Sequence, residues 1–445
     1  MRTCLHRHGR LALCCAALLA FGAPVVGQPA SPSPVSTAPF SADDWRADLD
    51  QLIVELPKRH VNAFFRTAQA DFVAAAADLR GRLDGMSDTD RALSFARLAA
   101  SLGDAHTSID ISRFQAASRL FPIALYPASD GLLIVGAPAE ASEMNGSEIL
   151  AVNGTPIAEV VARMSTLYAW ENQASRLGWL RRWFAMSEAH RFLGITPTAD
   201  ECEVLFRPLL TPDAQPRSVT IRAVTRPELD ATLKTLPRPA PGPAALSQRR
   251  ETRALWFDFV PDAPGVMYVR YDRCANDPQA TIAQYAESVL ARIEAGGVRR
   301  LIIDLRANGG GDSSLLDPFI AAIAERPEFR GRGAVIALIG RNTFSSAQLN
   351  AHSLRQRAGA VVIGGPTGQK PNAYGEVRQF ALDRTGLRVF YSTKRFVTAE
   401  GDPESMMPDV LAEPTMRDTI AGRDVALEAA IAFTAGPASG GESRP

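Results

Sequence analysis

Lysine is nearly missing from this chain: of 48 basic residues only Lys58, Lys234, Lys370 and Lys394 are lysines. Arginine stays protonated at any useful pH and cannot act as a base, so each lysine is a candidate for work arginine cannot do. Histidine is as scarce, with six scattered residues and no Cys/His spacing of the zinc-binding kind; no metal and no cofactor is expected. Charge of one sign is absent too, since 48 acidic residues balance the 48 basic ones. That balance argues against a nucleic-acid partner or a membrane-surface footprint. Of five cysteines, Cys4, Cys14 and Cys15 crowd the start, leaving Cys202 and Cys274 with the choice of pairing or staying free. The apolar run Leu11 to Phe21 is shorter than the roughly 20 residues a membrane span needs. With Arg2 and Arg10 before it and small residues up to Gly27 or Ala30 after it, the run reads as a cleaved secretory signal. A lipoprotein anchor is disfavoured by the bulky Leu13 before Cys14. The expectation is an exported protein, periplasmic or secreted, with no membrane insertion after signal removal.

The 445 residues have ample apolar content for more than one core. The signal covers 1–30 and a Pro/Ser/Ala linker 31–40. Residues 41–112 are helical in pattern, opened by Ser41 with Asp43 and Asp44 behind it. Residues 113–224 are β-rich, with a helical insertion around Trp170 to Phe192 and a hairpin signature at Asn153-Gly154. Residues 225–250 are rich in Pro and Arg and read as a second linker, and 436–445 as a disordered tail.

From 251 to 435 short apolar runs alternate with helices. A helix over 278–295, capped by Asn276 or Asp277 and stopped by Gly296-Gly297, shows apolar positions Ile282, Tyr285, Ala286, Val289, Leu290 and Ile293 on one face. Strands are expected at 301–305, 334–339 and 360–363, with helices starting near Ser313 and Ser345. Such alternation implies parallel strands with right-handed crossovers, and sites beyond their carboxyl ends.

At two of those ends lie Gly309-Gly310-Gly311 and the run Asn342-Thr343-Phe344-Ser345-Ser346-Ala347-Gln348. Lys370 follows Ser345 by 25 residues, in a glycine turn. A serine hydroxyl needs a base to become a nucleophile, and a buried lysine with a lowered pKa can serve. The glycines let backbone N–H groups approach a ligand, although a tight turn needing positive φ would look the same.

Together these residues resemble a known family. Asp304-Leu305-Arg306-Ala307-Asn308-Gly309-Gly310-Gly311, then Thr343-Phe344-Ser345-Ser346-Ala347-Gln348, then Gly364-Gly365-Pro366-Thr367-Gly368-Gln369-Lys370 are similar to the motifs of the tail-specific, C-terminal-processing serine peptidases and their tricorn-core relatives. The resemblance covers about 250 to 435. It implies an α/β fold with a crotonase/ClpP-like catalytic core of mostly parallel strands, preceded by a helical part and a β-rich, PDZ-like part. It implies a serine-type peptidase acting on protein or peptide substrates. Ser345 would be the nucleophile and Lys370 its base, with oxyanion donors from Gly309 or Gly310 and from the Ser346 N–H. The run Gly146 to Ile157 resembles half of a PDZ-like module, which places Gly146, Ile149 and Val152 among substrate-binding candidates. Three positions depart from the pattern: Gln348 replaces a glutamate, Gln356 an aspartate and Gly368 an aromatic.

A second arrangement stays open. Gly103-Asp104-Ala105-His106-Thr107 resembles the histidine segment of the tricorn branch, which would make His106 the base, with Asp402 or Glu404 as its acid partner. The lysine is the preferred candidate of the two. Relatives on the same fold also bind retinoids or fatty acids without proteolysis, so a hydrophobic-ligand or peptide-binding protein is the alternative class.

Overall fold

The computed structural model describes residues 40–235, 243–249 and 251–434. The expected signal at 1–30, nearly all of the linker at 31–40 and the tail at 436–445 lie outside the described residues, as do parts of the segment 225–250. Among the described residues no helix is long and apolar enough to cross a membrane.

The α/β class expected from the sequence is observed. Ser41 opens the first helix, Ala42–Arg59, in a reciprocal capping box with Asp44. Gln69–Arg82 and Asp88–Ala100 follow. The chain then turns through Gly103 (φ 78°) and Asp104-Ala105-His106-Thr107 into the short strand Ser108–Ile109. That strand pairs antiparallel with Arg388–Phe396, Ser108 opposite Phe390, and so carries the histidine segment to the C-terminal part.

The β-rich part is an antiparallel sheet in the order Ala124–Ala128, Gly131–Pro138, Ser147–Val152, Glu201–Pro208, Arg217–Arg222. Asn153 (φ 46°) and Gly154 (φ 72°) form the two-residue hairpin turn that the Asn-Gly pair announced. The helical insertion is present as Gln173–Phe184 and Ser187–Phe192. The segment read as a linker holds more than a linker would. Arg226–Thr232 is a helix with its proline in the first turn, where no N–H is needed, and Leu233–Thr235 pairs with Gly131–Pro138. Proline there starts structure instead of breaking it.

The C-terminal part is built on a six-stranded sheet in the order Val410–Leu411, Val361–Gly364, Val335–Ile339, Arg300–Asp304, Val266–Tyr271, Leu255–Phe259. The first five are parallel and the last is antiparallel. Its central strands bury both faces, which explains their unbroken apolar runs. Leu301, Ile303, Ala337, Ile339 and Val362 pack with the helices on one side, while Ile302, Ile336, Leu338 and Ile363 pack against Val425–Ala432 on the other. The helix expected over 278–295 runs Ile282–Glu294 and is capped by Thr281 with Gln284, not by Asn276 or Asp277. Those two instead accept backbone N–H groups in the approach, Asn276 from Ile282 and Asp277 from Gln279 and Ala280.

One core runs through the N-terminal helices, the antiparallel sheet and the hairpin Ala373–Ala381/Arg388–Phe396, joining Trp45, Phe95, Phe206 and Tyr391. The two parts expected at 41–112 and 113–224 therefore share their apolar interior. Cys202 and Cys274 are both buried and free.

Candidate active site

The carboxyl ends of Arg300–Asp304, Val335–Ile339 and Val361–Gly364 lead respectively to the triple glycine, to Ser345 and to Lys370, so three of the sequence motifs meet at one edge of the sheet. Below them, Asp304 is fully buried and accepts from Arg306 at 2.7 Å and from Tyr268 at 2.6 Å, while Arg306 also holds Asp424 at 2.6 Å. Burial opposes charge on Asp304, but the two arginines Arg306 and Arg270 outweigh it and keep the carboxyl ionised. The Asp304-Leu305-Arg306 motif is thus a buried ion-pair brace under the turn.

Ser345 sits between Val335–Ile339 and the helix Ser346–Arg357, at φ 52° and ψ −129°. Backbone of this kind costs a non-glycine residue about 1–3 kcal/mol and persists only where neighbours fix it. They do. Thr343 Oγ1 donates to the Leu305 carbonyl at 2.9 Å, the Phe344 N–H to the Asn308 carbonyl at 3.1 Å, and the Ser345 N–H to Gln369 Oε1 at 2.5 Å. The Ser345 side chain makes no cap hydrogen bond to the helix. The Ser346 hydroxyl, by contrast, is spent on the Gly311 carbonyl at 2.6 Å.

The glycine triplet wraps the same turn. A Cβ on Gly310 would lie 2.7 Å from Ser345 Cβ, and one on Gly311 would lie 2.1 Å from the Cys274 carbonyl oxygen, so both must be glycine. The Gly310 N–H, one of two expected oxyanion donors, is committed to Asn308 Oδ1 at 2.9 Å. The closed Asn308-Gly309-Gly310 turn takes that donor, and Gly309 remains as the candidate from this loop. The Ser346 N–H, first in its helix, belongs to the donors a helix start leaves without an internal acceptor.

His106 comes to this site from the N-terminal part. Its ring lies 4.7 Å from that of Phe344, the residue before Ser345. It is 7 % exposed, its ring nitrogens hydrogen-bond to no side chain among the described residues, and the Tyr374 main chain beside it favours the charged form. Burial pushes its pKa below the ordinary value, against the pull of Asp104. Asp104 is fully buried and accepts four donors: His60 Nε2 at 2.9 Å, Thr107 Oγ1 at 2.6 Å, Ser392 Oγ at 2.7 Å and the His106 N–H at 3.0 Å. Burial alone would raise its pKa; the hydrogen bonds from His60, Thr107 and Ser392 with the attraction of His106 hold it at about 2. Since His60 Nδ1 accepts the Asn62 N–H at 2.9 Å, its proton sits on Nε2, facing Asp104.

A third buried group completes the cluster. Glu171 takes the Lys370 N–H at 3.0 Å on one oxygen and the Ala105 N–H at 3.4 Å on the other. Burial, with repulsion from Asp104, pushes its pKa up to about 8. Donor atoms of Asp104, His106 and Glu171 lie within 4.8 Å of one another. Of the Asp104 oxygens, Oδ2 already accepts three donors and Oδ1 one, so much of that carboxylate is occupied within the protein.

Lys370 does not match the base expected of it. Its Nζ is held by Asp402 Oδ2 at 2.7 Å and Glu404 Oε1 at 3.1 Å. Partial burial opposes its charge, but the two carboxylates outweigh burial and raise its pKa above the ordinary value. The same contacts correct the expectation for Asp402 and Glu404, which neutralise Lys370 instead of orienting His106. Gly146, Ile149 and Val152 are buried, and their strand lies inside its sheet between Gly131–Pro138 and Glu201–Pro208. They have neither exposed side chains nor a free edge for an added substrate strand.

Two departures from the family pattern acquire a physical reason. Gln348 Nε2 donates to the Lys370 carbonyl at 3.1 Å, which a glutamate could not do. A Cβ on Gly368 would lie 2.1 Å from the Arg341 carbonyl oxygen, so no aromatic fits. Sequence reasoning missed Glu171 and Gln369. Gln369 had a signal, being next to Lys370 within the glycine-turn motif; Glu171 had none, because it lies 66 and 199 residues from the two residues whose N–H groups it accepts.

No protein-family model and no curated protein sequence matches the chain. Solved structures do. A serine-to-alanine mutant of CPAF aligns over 88 % of this chain and 96 % of its own at 14 % identity and TM-score 0.60. Mature CPAF aligns over 86 % and 94 % at 15 % identity and TM-score 0.58. The photosystem II D1 C-terminal processing protease aligns over 87 % and 98 % at 15 % identity, with a TM-score of 0.37. At these identities the likeness to CPAF gives the fold, over nearly the whole length of both chains.

Proposed function

We propose that the chain is an exported serine-type peptidase of the tail-specific group, cleaving peptide bonds by acyl transfer with Ser345 as nucleophile and His106 as its base. The observation that carries this reading is a serine in strained backbone at a helix start, one residue from a phenylalanine packed on a buried imidazole that is hydrogen-bonded to no other side chain. A neutral imidazole in that place can accept the serine proton, whereas an ammonium paired to two carboxylates cannot. The steps follow from the placement. Ser345 Oγ attacks the peptide carbonyl while His106 takes its proton. The Ser346 and Gly309 N–H groups receive the oxyanion, and His106 returns the proton to the leaving amine. Water, activated by the same imidazole, then releases the acyl group.

The test uses the purified mature protein with fluorescently labelled casein and a fluorophosphonate probe. The expected result is an adduct mapped to Ser345, and loss of casein hydrolysis in both Ser345→Ala and His106→Ala with circular dichroism unchanged. Full activity in either variant overturns its assignment, and a parent protein that neither hydrolyses casein nor takes the probe leaves the carrier reading as the better one. Export rests on the basic start and the apolar run of the first 30 residues; a mature N-terminus between Gly27 and Ser31 is the expected finding, and soluble cytosolic protein with Met1 intact overturns it.

A further inference from the structure

We propose that Glu171 is the positioning residue for His106, its carboxylate stabilising the imidazolium that forms when His106 takes the Ser345 proton. The inference rests on the Ser345–His106 reading. Glu171 stands just before the helix Gln173–Phe184, at a point bolted to the catalytic part. The N-cap Asn172 donates from Nδ2 to the Thr367 carbonyl at 3.0 Å, the Glu404 carbonyl at 2.7 Å and Ser405 Oγ at 2.8 Å. The Glu171 oxygens hold the N–H groups of Ala105, next to His106, and of Lys370, next to Gln369, which fixes the Ser345 N–H. One carboxyl therefore spans the segment that presents the base and the loop that positions the nucleophile.

Burial makes this placement expensive. Glu171 is 6 % exposed, and among the described residues it forms no ion pair. Two backbone N–H groups do not offset a buried carboxylate, and a neutral side chain would serve a structural role at less cost. The charged groups around it come from four segments. Asp104 lies on the histidine segment, and His60 ends the first helix with its proton given to Asp104. Arg66 donates to the Trp170 carbonyl at 3.2 Å and draws the Glu171 pKa down only weakly, and the Lys370 ammonium is spent on Asp402 and Glu404. Asp104 also faces His106, but it is less free to do this work: Oδ2 accepts three donors, and Oδ1, 4.0 Å from His106 Nδ1, accepts the His106 main-chain N–H. A Glu171 oxygen lies within 4.8 Å of a His106 ring nitrogen, the reach of one bridging water.

In the acylation step the Ser345 O–H bond breaks, the His106 N–H bond forms, and the Glu171 carboxylate faces the new cation without taking its proton. The ionised carboxylate is the useful form, so kcat should rise with pH as Glu171 loses its proton and level off above about 8. Casein hydrolysis by the full mature chain is measured from pH 6 to 10 for the parent, Glu171→Gln, Glu171→Asp, Ser345→Ala and His106→Ala. The expected result for Glu171→Gln is a fall in kcat of about a hundredfold with KM within about twofold, and loss of the limb near pH 8. Glu171→Asp recovers part of kcat and shifts the limb downward. In histidine-labelled protein followed by NMR, the His106 ring signals of the parent shift with a midpoint near pH 8 as Glu171 ionises, and Glu171→Gln lacks that shift. Parental kcat with an unchanged pH profile in Glu171→Gln overturns the inference. If that variant does not fold, Glu171→Asp with an unmoved limb overturns it equally. An active His106→Ala removes the underlying reading first, and so separates the two failures.

Discussion

The ammonium of Lys370 lies 2.7 Å from Oδ2 of Asp402 and 3.1 Å from Oε1 of Glu404. A cation between two carboxylates keeps its proton, which is why the proposed mechanism gives the proton transfer to His106. Lys370 anchors its loop by charge and by its main chain, whose N–H reaches Glu171 and whose carbonyl receives Gln348.

Lys370→Arg should consequently leave turnover within a few-fold of the parent, since arginine preserves the pairing. The carboxylates are well exposed, 64 % and 72 % by side chain, so the change should move stability by less than about 1 kcal/mol. His106→Ala should lose activity by orders of magnitude. Steady-state hydrolysis of casein by both variants checks the pair, and inactivity of Lys370→Arg with an active His106→Ala reverses the assignment.

Much of the fold was legible because local chemistry agreed with it. The Ser41 capping box, the Asn153-Gly154 turn and the buried strands Leu301 to Asp304 and Val335 to Ile339 all obey short-range rules. The strand-to-helix turn at Ser345 was legible for the same reason. What escaped was long-range. Spacing of 25 residues placed Lys370 near Ser345 but could not say that Asp402 and Glu404, over thirty residues later, would claim its charge. Nor could it bring Glu171 beside His106, a meeting made by a helical insertion packing across two parts. Within the linker expected at 225–250, residues 226–232 form a helix with Pro227 in its first turn, where proline is at home.

Asp304→Ala should be among the most damaging single changes away from the reacting groups. It leaves Arg270 and Arg306 without the carboxylate that both approach, at 3.4 Å and 2.7 Å. Removing one partner of a buried pair costs about 3–5 kcal/mol. Urea unfolding should show a lower midpoint with an unchanged slope, and a midpoint within error of the parent would discount the brace.

Two buried acids set opposite pH dependences of stability. Asp104, at about 2 in the folded state against an ordinary 3.8, contributes stability above the ordinary value that is lost as pH falls from 3.8 towards 2. Glu171 is raised from 4.5 to about 8, so between those values the unfolded chain has released a proton that the folded chain still holds. Stability therefore falls as pH rises through that window and is flat beyond it. Glu171→Gln removes this penalty and should melt above the parent at pH 8, with the difference shrinking towards zero near pH 4. Equal melting at pH 8 would place Glu171 in a less costly environment than its burial implies.

Ser345→Gly tests the strain directly. At φ 52° and ψ −129° the backbone is unfavourable for any side chain, and about 1–3 kcal/mol is stored there. Glycine adopts such angles freely but has more conformational entropy to lose on folding, about 0.5–1 kcal/mol relative to alanine. The first effect is the larger, so the variant should unfold at higher denaturant than the parent by roughly 1 kcal/mol while hydrolysing nothing. Ser345→Ala removes the nucleophile but keeps the Cβ, and so should remain near parental stability. The contrast between the two inactive variants isolates backbone strain from loss of the hydroxyl. Its expected sign, glycine more stable than alanine, reverses the usual order of these residues within regular structure. If glycine instead proved the less stable of the two by urea unfolding, the Ser345 turn would not be a strained one.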